Sequence, residues 1–435
     1  MKRLRLMSGI RQNVEERSMI DARQRLNRIR RLPGINGRVL LFLCHSLLFH
    51  IALLGIADIL LNFYLVSIGY DTATISLVQS LPRLSGFLIG LPIGLIANRV
   101  GNRNLILLST GGLALAVATT ALTQSLLVIA ISRLLWGACF GANQVVKPPF
   151  MVTLTDRSEH TAQFSYHNLV AMLAVAIGSA LGGLLPLVAS HLLPIAAGAD
   201  LSPAEMPLAY RASIMVAALL LLLSNGPILA LGIGAAAAEE PRGARVVTWR
   251  AAPWRRLLWL TFPLFVFGLS GGLIFPFFNL IFRDLFGIAD SAVGAVIGLG
   301  WLAMGLTPLL NPAWEARLGR AGALSALMML SALAFVGLSL ASGLGLAILF
   351  YALAIGIRNT MQPLFQPLLM DSLAAAHHNL ASSAGLVMWN IGWFASTFSF
   401  GLLQSAIGYR NIMLVVALFV VLNGLSIRFA FRRRD

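Results

Sequence analysis

The chain has 435 residues, of which 58% are apolar and 11% are charged, with a mean hydropathy of +0.83. About a quarter of the residues of a soluble domain are charged, so this composition excludes an ordinary soluble protein and indicates a membrane protein. The formal net charge is +16, but the basic residues are spread over short loops and the two termini, which leaves no continuous basic face for a nucleic acid.

Residues 1–37 are rich in arginine and lack an apolar core, so we predict a basic cytoplasmic arm rather than a cleavable signal peptide. Glu15, Glu16 and Asp21 argue against a mitochondrial-type presequence. Two interpretations of the arm remain open. It is either a basic helix that lies on anionic lipid or a solvated, disordered segment.

Twelve apolar stretches follow, each long enough to cross a bilayer as a helix, which takes roughly twenty residues. The first six lie near residues 39–67, 74–97, 104–123, 126–152, 163–187 and 209–235. The second six lie near residues 256–284, 291–313, 320–341, 344–369, 380–403 and 409–430. We therefore predict an all-α integral membrane fold with twelve transmembrane helices in two pseudo-symmetric six-helix bundles, 38–236 and 255–431, with a cytoplasmic linker at 237–254 and a cytoplasmic tail at 432–435.

The distribution of basic residues orients the chain, because short cytoplasmic loops are enriched in lysine and arginine. The arm, the loop at 99–103, the linker, the turn at 317–320 and the tail all fall on one side. The opposite side offers three arginines, Arg211, Arg283 and Arg410. We therefore predict a multi-pass protein of the cell membrane with both termini in the cytoplasm.

The two halves repeat each other in sequence. At an offset of 218 residues the matching pairs are Gly69 and Gly287, Arg99 and Arg317, Gly101 and Gly319, Gln144 and Gln362, and Pro149 and Pro367. At an offset of 219, Gly182 meets Gly401. A nearly constant register indicates internal duplication. Duplicated membrane folds place their substrate site between the halves.

A short basic loop joins the second and third spans. It contains Gly94, Asn98, Arg99, Gly101 and Arg103, and its damaged copy in the second half contains Arg317, Gly319 and Arg320. Glycine lets the chain turn and lets helices approach closely, and arginine holds the loop at the charged membrane surface. An acidic residue in place of Asn98 would latch onto the positive end of a helix, so we expect a weaker latch here. The alternative is a loop that only sets the topology.

This loop resembles a signature of the major facilitator superfamily, which reads Gly, three residues, Asp, Arg, any residue, Gly, Arg, Arg. Asn98 and Asn102 depart from that signature. The fourth span is similar to a second signature of the family through Arg133, Gly137 and Gly141.

The resemblance covers the chain after residue 37 and implies alternating access between two six-helix bundles. The antiporter signature of the family's fifth span is half present, because the segment 178–183 has the glycines but lacks the proline. Drug efflux is therefore less favoured by the resemblance than transport in general.

Three charged residues lie at a similar depth in the first half. With a helical rise of about 1.5 Å per residue, Asp58, Arg83 and Arg133 lie roughly 12–13 Å from the outer ends of their helices. Charged groups inside a membrane are costly and mark functional sites. Two hypotheses remain open for Asp58: a proton carrier for coupled transport, or a permanent structural pair with an arginine.

Polar residues also recur in the fourth and tenth spans, which carry prolines that bend helices. We predict that two cations, Lys147 and Arg358, line a central cavity and suit a carboxylate or a phosphate. The amides predicted beside them are Gln144, Asn359 and Gln362. For Lys147 the alternative is an ammonium group that reaches the inner headgroups.

The eleventh span carries Trp389 and Asn390, with Trp393 one turn farther on. Residues four apart share one face of a helix, so this aromatic and amide face either contacts the substrate or packs against a neighbouring helix. Both interpretations remain open.

The chain shows no pattern for a cofactor or a metal. Cys44 and Cys139 lie inside apolar runs, which excludes a disulfide framework. Histidine is a common metal ligand, but no cysteine or carboxylate accompanies the histidines inside the spans at metal-ligand spacing. The three histidines are His45, His50 and His167.

These features predict a secondary active transporter, proton-coupled, for an anionic or amphipathic small molecule. An enzyme is not expected, because the metalloprotease, serine hydrolase and nucleotide-binding loop motifs are absent from the sequence. The alternatives are a multidrug-type efflux antiporter and a transport-inactive membrane sensor or scaffold. We expect a monomer whose partners are its substrate, protons and lipid.

Overall fold

The computed structural model describes residues 36–155, 159–192, 206–231, 253–374 and 377–431, without the side chains of residues 89–99, 161–162 and 378–379. All but the last two residues of the predicted arm, nearly all of the predicted linker and the whole predicted tail therefore lie outside the described residues.

The described residues form long helices and no strand, which confirms the all-α fold. The first half contains α1 Gly37–Ser67, α2 Thr72–Val100, α3 Asn102–Leu122, α4 Leu126–Val152, α5 His160–Leu192 and α6 Met206–Ala230. The second half contains α7 Trp254–Phe286, α8 290–318, α9 320–340, α10 Leu344–Asp371, α11 378–407 and α12 409–431. Nine continuous helical stretches in the described part are long and apolar enough to span a membrane. Two of these stretches hold two helices each, divided at Gly319 and Gly408.

Glycines with positive φ angles turn the chain at equivalent places in the two halves. Gly101 has φ 84° and Gly319 has φ 66°, while Gly69 has φ 92° and Gly287 has φ 62°. L-residues with a side chain rarely adopt this conformation, so each turn requires glycine. Both pairs keep the 218-residue offset, which supports the duplication in three dimensions.

These turns define two faces of the molecule. Gly101 and Gly319 lie on the face where α1 begins and α12 ends, which we call the terminal face. Gly69, Gly287 and Gly408 lie on the opposite face, which we call the distal face.

Glycines also allow the halves to pack tightly. A Cβ atom on Gly183 of α5 would lie 2.9 Å from the Ser291 Cα atom of α8, and one on Gly401 of α11 would overlap Ala73 of α2. Gly183 and Ser291 are therefore the equivalents of Gly401 and Ala73 at an offset of 218. The prediction that Gly182 matches Gly401 at an offset of 219 is wrong by one residue, because Gly182 packs instead against Ile59 of α1.

Replacing Gly401 with alanine is expected to lower the thermal unfolding temperature, because the added methyl group would meet backbone atoms of α2 that cannot move aside. Gly111 in α3 is the matched control, since nothing lies within 4 Å of the place of its Cβ atom. Gly111→Ala should leave that temperature unchanged or raise it slightly. Equal effects of both variants in thermal unfolding would contradict this account of the packing.

Helices that border the centre of the molecule are irregular. α1 passes through a π-helical segment, Ile51–Ala57, immediately before Asp58. α7 contains a 3-10 turn, Phe275–Phe277, and its Pro276 lies at the 218-residue offset from Asp58. α10 is interrupted at Thr360, whereas α4 stays helical through its two adjacent prolines. Such interruptions are frequent at functional sites.

Candidate substrate cavity between the two halves

A cavity of about 280 Å³ lies between the halves. Its walls come from α1, α2 and α4 on one side and from α7, α8, α10 and α11 on the other. Eight of the residues predicted from the sequence line it: Asp58, Arg83, Arg133, Gln144, Arg358, Asn359, Gln362 and Trp389. The cavity therefore combines three guanidinium groups with one carboxylate.

Arg83 of α2 reaches across to the second half. Its guanidinium carbon lies 4.8 Å from the ring centroid of Trp389 and 4.3 Å from that of Trp393. The side chain is half-buried, and among the described residues it makes neither a hydrogen bond nor a salt bridge. Its N–H donors therefore face the cavity while the two indoles hold the plane of the group.

Arg358 of α10 is held by the protein instead. It is 3% exposed, and its Nη2 atom donates to the Phe267 carbonyl oxygen at 2.5 Å and to Ser270 Oγ at 3.0 Å. Its guanidinium carbon also lies 3.7 Å from the Phe267 ring centroid. The charge of Arg358 contributes to the potential of the cavity, but most of its hydrogen-bonding capacity is used by α7.

A chain of hydrogen bonds leads from the cavity toward the distal face. Arg133 donates to Gln79 Oε1 at 3.0 Å, and Gln79 donates to Asn62 Oδ1 at 2.8 Å. Asn62 donates to two acceptors in the other half, Asn279 Oδ1 at 2.8 Å and the Pro276 carbonyl oxygen at 2.6 Å. This relay, which we call the Arg133–Asn279 chain, connects an arginine of the cavity to the contact between α1 and α7.

The two halves are joined toward the distal face. Tyr210 of α6 donates to the Asp290 carboxylate of α8, and the Gly401 N–H donates to Ser76 Oγ at 3.3 Å. Among the residues whose side chains the structure describes, the hydrogen bonds between the halves all lie toward this face. The described conformation is therefore closed on its distal side.

Asp58 lines the cavity without a direct partner. Among the described residues its carboxylate takes part in neither a salt bridge nor a hydrogen bond. Arg133 and Arg83 act on it electrostatically across the cavity. The direct ion pair that one of the two sequence hypotheses requires is absent from this conformation.

Two buried donors of the cavity wall also lack acceptors. The Nε atom of Arg133 and the Nε1 atom of Trp389 are inaccessible to solvent and make no hydrogen bond within the described part of the chain. A buried donor without an acceptor is unfavourable by about 1–3 kcal/mol. Both atoms are closed off from the cavity in this conformation.

The residues of the described ranges contain no group of three histidine, cysteine or carboxylate side chains arranged to hold a metal ion.

Comparison with known proteins identifies the fold. The profile of the Major Facilitator Superfamily matches residues 43–397. The chain belongs to the Major Facilitator Superfamily. A search of curated proteins finds no match.

Solved structures of superfamily transporters share the fold. A bacterial homolog of the human lysosomal transporter Spinster, inward-facing and unoccupied, aligns with a TM-score of 0.72 and 12% identity over 91% of this chain and 97% of its own. The nucleoside transporter NupG aligns with a TM-score of 0.70 and 12% identity over 92% and 100%. The E. coli fucose:proton symporter FucP aligns with a TM-score of 0.57 and 16% identity over 91% and 99%.

Membership in the superfamily makes the chain a multi-pass integral membrane protein with the twelve-helix, two-domain fold. It also points to transport of a small molecule rather than to an enzyme. The predictions of the family and the fold class are confirmed.

The structure describes the contacts of only part of the superfamily loop. The side chains of Asn98 and Arg99 lie outside the described ones, and Gly94 lies in the same stretch of α2. Arg103 donates to the Ile228 and Leu229 carbonyl oxygens at 3.2 and 3.0 Å, where α6 ends. An arginine at this position satisfies carbonyl groups that a helix end leaves without partners.

The second-half copy of the loop has a different anchor. Arg320 forms salt bridges with Glu315 at 2.8 Å and with Asp371 of α10 at 2.7 Å, while Arg317 is exposed. Two acidic residues therefore bind an arginine of the second-half loop, which departs farther from the superfamily signature than the first-half loop does.

Two of the predicted site residues lie elsewhere. Lys147 does not line the cavity, because its side chain is directed at Phe49 of α1 inside the first half. Asn390 does not line it either, since its Nδ2 atom donates to the Leu386 carbonyl oxygen of its own helix at 2.9 Å. Lys147 lies farther along α4 than the residues that line the cavity, whereas Asn390 is turned about 100° around its helix from Trp389.

Sequence reasoning missed several residues of the cavity and its relay. The amides missed are Asn62, Gln79 and Asn279, and the aromatic residues missed are Trp136, Phe140, Phe267, Phe275 and Trp301. Apolar runs contain many aromatic residues, so the rings carry no signal of their own. The offset of 217 between the two asparagines, one residue from that of the repeat, is the signal that would have found them.

Proposed function

We propose that the protein is a secondary active transporter that carries an amphipathic organic anion by alternating access. The observation that carries the proposal is the cavity itself: three guanidinium groups face one carboxylate between walls that include four tryptophans. Its net charge is positive, so it favours an anion, and its rings favour an apolar or aromatic body.

Each part of such a ligand has a partner in the cavity. A carboxylate or sulfonate would accept hydrogen bonds from Arg83, and charge-assisted pairs of this kind are strong in a site that excludes water. An aromatic ring would pack beside Trp389 and Trp393, which are contributed by the opposite half from Arg83. The ligand would therefore bridge the two halves, as alternating access requires.

The test uses purified protein and two probes of opposite charge. p-Aminohippurate, an aromatic carboxylate, should raise the thermal unfolding temperature and enter proteoliposomes with saturable kinetics. Tetraphenylphosphonium, an aromatic cation, should do neither. Stabilisation by the cation alone would overturn the anion proposal in favour of a multidrug-type efflux antiporter, for which Asp58 is the matching charge. Binding without uptake of either probe would favour the sensor or scaffold.

We infer that Asp58 contributes to proton coupling, since its carboxylate faces the cavity without a partner. A small cavity of about 40 Å³ touches Asp58 and Asn279 and is large enough for a water molecule that relays a proton. Replacing Asp58 with asparagine should abolish accumulation of p-aminohippurate driven by a pH gradient. It should leave exchange of labelled for unlabelled probe in place, because exchange moves no net proton. Accumulation at the wild-type level in the variant would remove Asp58 from coupling.

We also propose that the terminal face is cytoplasmic, on the distribution of arginines in the loops. The distal closure then makes the described conformation inward-facing. An impermeant maleimide tests this orientation on single cysteines introduced at Ser190, near the distal end of α5, and at Arg317, near the terminal face. In intact cells position 190 should react and position 317 should not. Reaction of position 317 rather than 190 would reverse the orientation.

A further inference from the structure

A second cavity opens on the peripheral surface of the second half. Its volume of about 310 Å³ is similar to that of the substrate cavity, and the two share no lining residue. Its walls come from α8, α9 and α10, and each helix contributes an exposed leucine: Leu310 at 58%, Leu330 at 42% and Leu353 at 43%. This cavity, which we call the lateral groove, is therefore open to the outside of the bundle.

The lateral groove runs along two neighbouring helices. The residues that line it recur on one side of α8 from 303 to 314 and on one side of α10 from 349 to 360. At a rise of about 1.5 Å per residue, each stripe is about 16 Å long. A Cβ atom on Gly356 would lie 2.6 Å from Thr307 Oγ1 and 3.2 Å from the Ala303 Cβ atom, so close contact between α10 and α8 forms the floor. The groove thus fits an extended chain that lies parallel to the helices.

The polar side chains of the groove bond within the protein. Thr307 Oγ1 donates to the Ala303 carbonyl oxygen at 2.6 Å. Thr360 Oγ1 donates to the Ile357 carbonyl oxygen at 2.6 Å, and Asn311 Nδ2 donates to the Thr360 carbonyl oxygen at 3.5 Å. The surface left for an occupant is therefore mainly apolar. An unfilled apolar volume loses dispersion contacts of its lining, and a hydrocarbon chain would supply them.

A cation lies beyond the terminal end of the groove. Trp314 lines that end, and tryptophan favours the boundary between lipid and water. Arg317 follows three residues later on the same side of α8. It is exposed and, within the described part of the chain, makes neither a hydrogen bond nor a salt bridge. The nearby carboxylates of Glu315 and Asp371 both pair with Arg320, which leaves Arg317 for an anion from outside the protein.

The surroundings of the groove indicate what fills it. A superfamily member is an integral membrane protein, so the exposed side of α8, α9 and α10 meets lipid chains rather than water. Two irregular segments border the groove: α8 is a 3-10 helix over Thr307–Leu310, and α10 is interrupted at Thr360. A chain in the groove would contact both segments.

We propose that the lateral groove binds one phospholipid from the leaflet at the terminal face. One acyl chain lies between α8, α9 and α10, and the phosphate accepts charge-assisted hydrogen bonds from Arg317. The second acyl chain stays in the bilayer. This site does not depend on the identity of the transported substrate.

Native mass spectrometry of the purified full chain, released from detergent, counts the bound lipids. The probes are palmitoyl-oleoyl-phosphatidylglycerol and the diacylglycerol with the same two chains, which lacks the phosphate. The wild type should bind one phosphatidylglycerol about fivefold more tightly than the diacylglycerol, because one arginine near the membrane surface contributes about this factor.

Two variants test the two ends of the site. Ala352→Phe fills the groove and should abolish the tight binding of phosphatidylglycerol, and Ala230→Phe, at an exposed alanine that ends α6, is its control. Arg317→Gln should lower the preference for phosphatidylglycerol over the diacylglycerol about fivefold, to near equality. Arg255→Gln, at an exposed arginine of α7, should keep the wild-type preference. Because Arg317 is exposed, its variant keeps the proposal testable if Ala352→Phe does not fold.

Each other outcome contradicts the proposal. Equal affinity of the wild type for the two probes would assign the groove to an uncharged lipid. Tight binding that survives Ala352→Phe, or that Ala230→Phe lowers as much, would place the phospholipid elsewhere. An unchanged preference in Arg317→Gln would remove Arg317 from the site, as would an equal loss in Arg255→Gln. Wild-type dimers that disappear in Ala352→Phe would assign the groove to a second copy of this chain.

Discussion

Replacing Arg83 with glutamine is expected to lower p-aminohippurate uptake between about tenfold and about a hundredfold, with little change in the unfolding temperature of the free protein. The guanidinium group makes no hydrogen bond to the described protein, so its loss leaves few internal partners unsatisfied. A hydrogen bond to a charged group is worth about 1.5–3 kcal/mol, which corresponds to this range. Initial uptake rates at several probe concentrations measure the effect.

Two further variants separate charge from shape. Arg83→Lys keeps the charge but loses the planar fork and its stacking on Trp389 and Trp393, so it should recover only part of the uptake. Arg410→Gln is the matched control, because Arg410 donates to the Ser339 and Ala341 carbonyl oxygens far from the cavity. A loss of uptake in Arg410→Gln as large as in Arg83→Gln would show that the effect reflects general damage.

The sequence predicted the positions of the first-half charges best. A depth count along three helices predicted that Asp58, Arg83 and Arg133 lie at one level, and all three line one cavity. Depth is readable from sequence because the rise per residue of a helix is constant. Charges in apolar runs are also rare, so each one is conspicuous.

The partner of a side chain was harder to predict. Lys147 follows Gln144 by three residues, yet Gln144 lines the cavity and Lys147 turns to Phe49. Lys147 keeps nearly the angular position of Trp136 and Phe140, which line the cavity, so its farther place along α4 decides its partner. Which helix faces which depends on close packing such as that of Gly183 on Ser291, and this packing is a property of the folded halves.

Replacing Asn62 with leucine is expected to open the distal side of the transporter. Asn62 is fully buried, and both protons of its amide are used on α7, at Pro276 and Asn279. Water replaces these partners when the halves separate, so their bonds favour the closed arrangement. Their loss should shift the balance between the closed and open states by about 1–3 kcal/mol, or roughly five- to 150-fold.

The measurement uses a cysteine in place of Met304, which lines the cavity, in a chain with Cys44 and Cys139 replaced by alanine. An impermeant maleimide supplied on the distal side should label Asn62→Leu at least about tenfold faster than the parent. Asn225→Leu is the control, because Asn225 bonds to the Leu107 carbonyl oxygen within the first half.

A double-mutant cycle identifies the contact responsible. Asn62 and Asn279 share one hydrogen bond, so the combined leucine variant should open the distal side by less than the sum of the two single effects. Asn279 also donates to the Ile59 carbonyl oxygen at 2.8 Å, which leaves a second bond between the halves when Asn62 alone is changed.

The bound probe should act on the same contact, because Gln79 joins Asn62 to Arg133. An anion at Arg133 would compete with Gln79 for that arginine and weaken the chain. The probe should therefore speed labelling in the parent but not in Asn62→Leu. Labelling that is the same in the parent and in all three variants would show that the asparagines do not hold the distal side closed.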